Sequence, residues 1–87
     1  MSKITFADEG WEDYLCWQQQ DKKTLKKIND LLKSIERDGV LKGKGKPERL
    51  KYRDGDCSRR IDDFNRLVYE VVDGEIIVKS CKGHYEE

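Results

Sequence analysis

Histidine occurs once in these 87 residues, at His84, so neither a catalytic histidine pair nor a histidine-rich metal site can be built from one chain. The three cysteines, Cys16, Cys57 and Cys81, form an odd set without CxxC spacing, which argues against a disulfide framework or a zinc site and fits a reducing cytoplasm. No apolar stretch exceeds a handful of residues, so no transmembrane span is expected, and Met1-Ser2-Lys3-Ile4 lacks the apolar run of a secretion signal. Net charge is also missing: 18 basic side chains meet 18 acidic ones, which excludes a generic basic nucleic-acid arm and an acidic tail protein. The length allows one domain, residues 1–87, with 36% hydrophobic residues for a small two-layer core.

The balanced total conceals an uneven distribution. Residues 39–66 hold nine Lys/Arg against five Asp/Glu, whereas residues 67–87 hold two against five. Lys42, Lys44, Lys46, Arg49, Lys51 and Arg53 surround a single acid, Glu48. Such a strip can bind a polyanion although the whole chain is neutral; a solvated surface loop is the commoner explanation of a charge run taken alone. Within it, Gly43-Lys44-Gly45-Lys46-Pro47 lacks phosphate-loop spacing and reads as a flexible basic loop, not a nucleotide site.

The patterning predicts a strand, two helices and then several strands. Ile4-Thr5-Phe6 is β-prone. Asp8 is the expected N-cap of a helix over about 9–19, and Asp21 that of a second helix over about 22–38. Leu25, Ile28, Leu32 and Ile35, with Leu31 beside them, form one apolar stripe, and Gly39 ends the helix. The short gap between the helices predicts an antiparallel helical hairpin. Strands are expected around Leu50–Tyr52, at about 57–61, at 66–72 and at 75–81, with Asp73-Gly74 as a two-residue hairpin turn. That turn pairs Val71 with Ile76 and Tyr69 with Val78, so Leu67, Tyr69, Val71, Ile76 and Val78 should share the face that the helices cover. Arg66, Val68, Glu70, Ile77, Lys79 and Cys81 should point the other way. Arg60 joins Arg66 only if the turn between them has an odd effective length, as with residues 62–64; otherwise its guanidinium would face the core at a steep cost. The odd register or a bulge is therefore expected, with Asn65 a residue able to take a positive φ.

Few side chains can carry chemistry. No nucleophile motif such as GxSxG surrounds the serines or cysteines, and the cysteines read as small packing groups. A carboxylate in a basic strip (Glu48), arginines on an open sheet face (Arg60, Arg66), Lys51 and a terminal His84-Tyr85 remain. These types suit cleavage of RNA through its own 2′-hydroxyl, which needs a base, cations for the crowded phosphorane and an acid for the departing oxygen, and neither metal nor cofactor.

The segments Trp11-Glu12-Asp13-Tyr14-Leu15-Cys16-Trp17-Gln18, Lys26-Lys27-Ile28-Asn29, Gly43-Lys44-Gly45-Lys46-Pro47-Glu48, Leu50-Lys51, Ser58-Arg59-Arg60-Ile61, Arg66-Leu67-Val68-Tyr69 and His84-Tyr85, in this order along nearly the whole chain, resemble the Txe/YoeB toxins, which are RelE-like toxins of bacterial type II toxin–antitoxin systems. The resemblance implies an α+β fold: an N-terminal strand and a helical hairpin packed on a curved antiparallel sheet. It implies a ribosome-dependent endoribonuclease that cuts mRNA in the A site, without a cofactor. By matching position, Glu48 resembles the general base, His84 the general acid and Arg66 the transition-state stabiliser. Lys51 and Arg60 resemble supporting cations and Tyr85 the terminal aromatic that places the nucleotide; Lys44, Lys46 and Arg59 are expected as further RNA or phosphate contacts. The implied partners are a YefM- or Axe-like antitoxin that blocks the site, the ribosome with its mRNA, and operator DNA through the antitoxin. Trp11, Tyr14 and Trp17 are candidates for a homodimer contact, with core packing the competing use. Asn65 stands where relatives often carry histidine, Cys57 where an aromatic is expected, and Glu86-Glu87 extend past the usual end. A non-enzymatic ParE-like toxin and a plain ribosome-binding module are the competing readings; neither would need Glu48, Arg66 and His84 together.

Overall fold

The computed structural model describes residues 3–51 and 53–84. The expectations for Tyr52, Tyr85 and the Glu86-Glu87 extension lie outside the described residues. A short strand β1 (Ile4–Phe6) leads into α1 (Asp8–Gln20) and α2 (Lys22–Asp38), followed by β2 (Glu48–Arg49), β3 (Cys57–Arg60), β4 (Arg66–Val72) and β5 (Glu75–Ser80). The five strands form one sheet in the order β1-β5-β4-β3-β2, antiparallel throughout except that β1 runs parallel to β5. None of the helices among the described residues is long and apolar enough to cross a membrane.

Local chemistry accounts for the element ends. Asp21 caps α2 as expected, its carboxylate accepting from the Lys23 and Thr24 backbone N–H groups at 3.0 and 3.3 Å. Asp8 does not cap α1. The cap position belongs to Ala7, which makes no side-chain bond, and Asp8 is the first helical residue, where with Glu9 it complements the helix dipole. Gly39 closes α2 with φ 110°, its N–H bonded to the Ile35 carbonyl at 3.1 Å. Gly10 lets α1 lie directly on the sheet: a Cβ at that position would stand 2.4 Å from the Val78 carbonyl oxygen. The Asp73-Gly74 turn has positive φ at both residues (51° and 79°), as a type I′ hairpin needs, and sets Val71 opposite Ile76 and Tyr69 opposite Val78.

The stripe of α2 seals one sheet face. Ile28, Leu31, Leu32 and Ile35 join Leu67, Tyr69, Ile76 and Val78 in the core, with Val71 partly buried against them. Each fully buried aliphatic side chain contributes roughly 1.5–3 kcal/mol. Cys81 belongs to this core too, contrary to the alternation expected for β5. The cause is a register shift: Val68 faces Ser80 but Tyr69 faces Val78, which makes Lys79 the extra residue of a bulge and turns Cys81 inward. The strand expected around Leu50–Tyr52 lies earlier, at Glu48–Arg49, and Leu50 is buried just after it. Leu50 and Val68 are buried outside the helix-covered cluster.

Candidate functional site

The site begins with strand register. Glu48 pairs with Ser58 across β2 and β3, and Arg60 pairs with Arg66 across β3 and β4. Because alternate residues of a strand share a face, Ser58 and Arg60 lie together and bring Glu48 and Arg66 with them, on the face opposite the helices. An open cleft of about 180 Å³ results, lined by Lys46, Glu48, Ser58, Arg60 and Arg66. The expected odd register of the 62–64 turn is thus present. The Ile61 N–H bonds the Asn65 carbonyl at 3.0 Å, closing it. Asn65 is not among the residues with positive φ; the turn is held instead by Asp62, which accepts from the N–H groups of Phe64 and Asn65, both at 2.8 Å.

Electrostatically the cleft is short of an anion. Arg60 and Arg66 stand directly opposite one another, an arrangement in which like charges repel. Both lean on the intervening turn: Arg60 Nη2 pairs with Asp63 at 3.1 Å, and Arg66 Nη1 donates to the carbonyls of Asp62 and Asn65 at 2.9 and 3.3 Å. Arg60 Nε is, among the described residues, a buried donor without an acceptor. A phosphate oxygen would answer both the repulsion and this unspent donor.

His84 does not line the cleft, but the chain leading to it is fastened beside it. Arg66 N–H donates to the Gly83 carbonyl at 3.1 Å, and Gly83 N–H donates to Asn65 Oδ1 at 2.7 Å. His84, the next residue, is exposed. Lys51 is exposed beyond β2 and Lys44 exposed in the basic loop; neither is a cleft-lining residue.

Arg59 corrects the sequence-based expectation. It is 0% exposed, so it contacts no ligand in the cleft. Its place on β3 between Ser58 and Arg60 turns it to the helical face, where it holds the basic loop from beneath. Nε donates to the Tyr69 hydroxyl at 3.0 Å, Nη1 to Ser34 Oγ and the Lys44 carbonyl at 3.0 and 2.9 Å, and Nη2 to the Gly39, Val40 and Lys42 carbonyls at 2.8, 3.3 and 2.7 Å. Ser34 Oγ in turn donates to Asp38 Oδ2 at 2.8 Å. The Asp38 carboxyl is held below the usual range, first by its hydrogen bond from Arg37, then by Ser34 and, more weakly, by the charges of Arg37 and Arg59. Arg60 N–H also bonds the Gly45 carbonyl. Arg59 therefore shapes the loop that carries Lys46 to the cleft. The sequence reading omitted Ser58 and the Asn65 side chain. The signal for Ser58 was present, since it is in phase with Arg60.

Comparison with known proteins places the chain among toxins. Residues 6–85 match a family model described as the YoeB-like toxin of bacterial type II toxin-antitoxin systems. The toxin YoeB of Escherichia coli (strain K12) is 46% identical over 84 residues, covering 95% of this chain and 99% of that protein. Among solved structures, the YoeB-YefM complex from Staphylococcus aureus contains a chain that superposes with TM-score 0.91 at 53% identity, covering 98% of this chain and 99% of that one. The YoeB dimer from the same organism gives TM-score 0.91 at 55% identity, covering 97% and 98%.

Proposed function

Because the chain belongs to the YoeB-like toxin family of bacterial type II toxin–antitoxin systems, we propose that it is an endoribonuclease that cuts mRNA in the ribosomal A site and thereby stops translation in the cytoplasm. The observation that carries this reading is the single carboxylate, Glu48, set in one cleft with Lys46, Arg60 and Arg66. In the proposed reaction the 2′-hydroxyl oxygen of one nucleotide attacks the adjacent phosphorus and gives its proton to Glu48. Arg66, with Arg60 and Lys46, balances the charge that builds on the non-bridging oxygens. The bond from phosphorus to the 5′-oxygen breaks as His84 protonates that oxygen. The products are a 2′,3′-cyclic phosphate and a 5′-hydroxyl. Tyr85 stacks on the nucleotide, and Lys51 and Lys44 steer the backbone.

Part of the rate comes from the ribosome, which presents the mRNA in the reactive geometry. Naked RNA should be cut far more slowly than mRNA on programmed ribosomes. The partner that silences the protein is a YefM-like antitoxin with an acidic segment that orders over the cationic cleft. Its complex binds operator DNA through the antitoxin, and a dimer of this chain forms as in the S. aureus toxin. The test is 5′-end mapping of ribosome-bound mRNA after expression of the wild-type chain and of Glu48→Ala, Arg66→Ala and His84→Ala. New ends should appear with the wild type and be lost in each variant. Toxicity without new ends, or undiminished in all three variants, contradicts the reading and favours a toxin that poisons by binding.

A further inference from the structure

The turn between β3 and β4 does more than reverse the chain. Asp62 accepts from Asn65 Nδ2 at 3.0 and 3.1 Å through its two oxygens, besides the two backbone N–H groups it already holds. A carboxylate only accepts, so the amide nitrogen of Asn65 must face Asp62 and its oxygen must face away. That oxygen takes the Gly83 N–H at 2.7 Å, while the Gly83 carbonyl takes the Arg66 N–H at 3.1 Å. Both backbone groups of Gly83 are thus spent on two consecutive residues at the edge of the cleft. Gly83 has φ 80°, a left-handed conformation that redirects the chain at the clamp, and a Cβ there would meet nothing within 4 Å, so glycine is required by the backbone and not by crowding. The residue launched from this point is His84.

We propose that Asn65, oriented by Asp62, is a positioning residue that sets His84 over the scissile bond, an inference that rests on the ribonuclease reading above. Arg66 is tied to the same turn through its side chain and to Gly83 through its N–H, so one hydrogen-bonded unit fixes the spacing between the transition-state cation and the acid. A neutral imidazole also offers one acceptor and one donor, so histidine at this position can make the same two contacts. Alanine can make neither.

The experiment compares the full-length wild type, Asn65→Ala and Asn65→His in two measurements. Amide hydrogen exchange at Gly83 reads the clamp without reference to activity. Cleavage on programmed ribosomes reads kcat and KM separately. Asn65→Ala should keep a cooperative unfolding transition, lose protection at Gly83 and lose kcat by roughly tenfold to a hundredfold, with KM within about twofold, as expected when a reacting group is displaced by an ångström or so. Asn65→His should recover protection and most of kcat. Unchanged kcat in Asn65→Ala despite lost Gly83 protection overturns the positioning role, as does unchanged protection. Wild-type protein that protects Gly83 but makes no cuts overturns the ribonuclease reading and, with it, the catalytic purpose of the clamp.

Discussion

Arg59 and Arg60 are neighbours in the chain and opposites in use. Arg59 lies under the sheet with every nitrogen of its guanidinium donating to a carbonyl or hydroxyl of the fold. Arg60 lies on the uncovered face beside Arg66, and among the described residues its side chain is partnered by one exposed aspartate and holds an unspent donor. A cation whose bonds are all made within the fold contributes shape; a cation left short of acceptors is available to a ligand. The same contrast runs through the two faces of the sheet. The inner face is closed around α2, and the cleft on the outer face gathers Lys46, Arg60 and Arg66 around one carboxylate, Glu48.

Arg59→Met should break the comparison most severely. It strands buried acceptors in the basic loop and should cost about 1–3 kcal/mol for each one left unsatisfied, measured by urea denaturation. A loss under about 1 kcal/mol would mean that the loop holds itself. Arg66→Ala should lower kcat by about 10²–10³ on programmed ribosomes while leaving the unfolding midpoint near that of the wild type. Arg60→Ala should have a smaller effect, about 1.5–3 kcal/mol or tenfold to a hundredfold in kcat/KM, because it also relieves repulsion of Arg66. A large stability loss from Arg60→Ala would erase the distinction between the two arginines.

Acid sharpens the contrast further. Burial pushes the Asp62 carboxyl up, but the N–H groups of Phe64 and Asn65 and the charge of Arg66 outweigh it and hold the group below the usual carboxylate range. A carboxyl lowered in the folded state stabilises the fold above its unfolded value, near 3.9 for aspartate, and this contribution is lost as pH falls through the folded value. Asp62→Asn should therefore be less stable than wild type at neutral pH, and the two denaturation midpoints should converge as the pH falls past the unfolded value and through the lower folded one. A difference that is the same at every pH would contradict it. The smallest effect concerns thiols. Burial, with a lesser contribution from Asp13, pushes Cys81 up to about 12, and burial raises Cys57 as well. Peptide mapping after mild alkylation should show Cys16, which is only half-buried, modified in the native protein, and the two inward cysteines modified only after unfolding.

Much of this arrangement was legible in the sequence because it follows from period and turn chemistry. The two-residue Asp73-Gly74 turn fixed the pairing of β4 with β5, and the requirement that Arg60 avoid the core fixed the 62–64 turn. The same reasoning implied that Arg59 faces inward, in phase with Cys57 and Ile61, a consequence that resemblance to phosphate-binding arginines obscured. The bulge at Lys79 was not legible. Lys79 sits 3.5 Å from Glu70 and 3.9 Å from Asp56, an acid on a distant loop, and no local pattern in Glu75–Ser80 encodes those partners. The Asn65–Gly83 bond spans 18 residues and joins a turn to the approach to the terminus, beyond the reach of any period. Asp8 misled because a capping residue type stood one position too late.

The central claim is that the uncovered cleft, with His84 beside it, cuts RNA through the RNA's own 2′-hydroxyl. A programmed ribosome carrying mRNA with one 2′-deoxy nucleotide on the 5′ side of the scissile bond tests it most directly. The account predicts that this mRNA resists cleavage while its all-ribose counterpart yields a 2′,3′-cyclic phosphate. Equal cleavage of the two would contradict it.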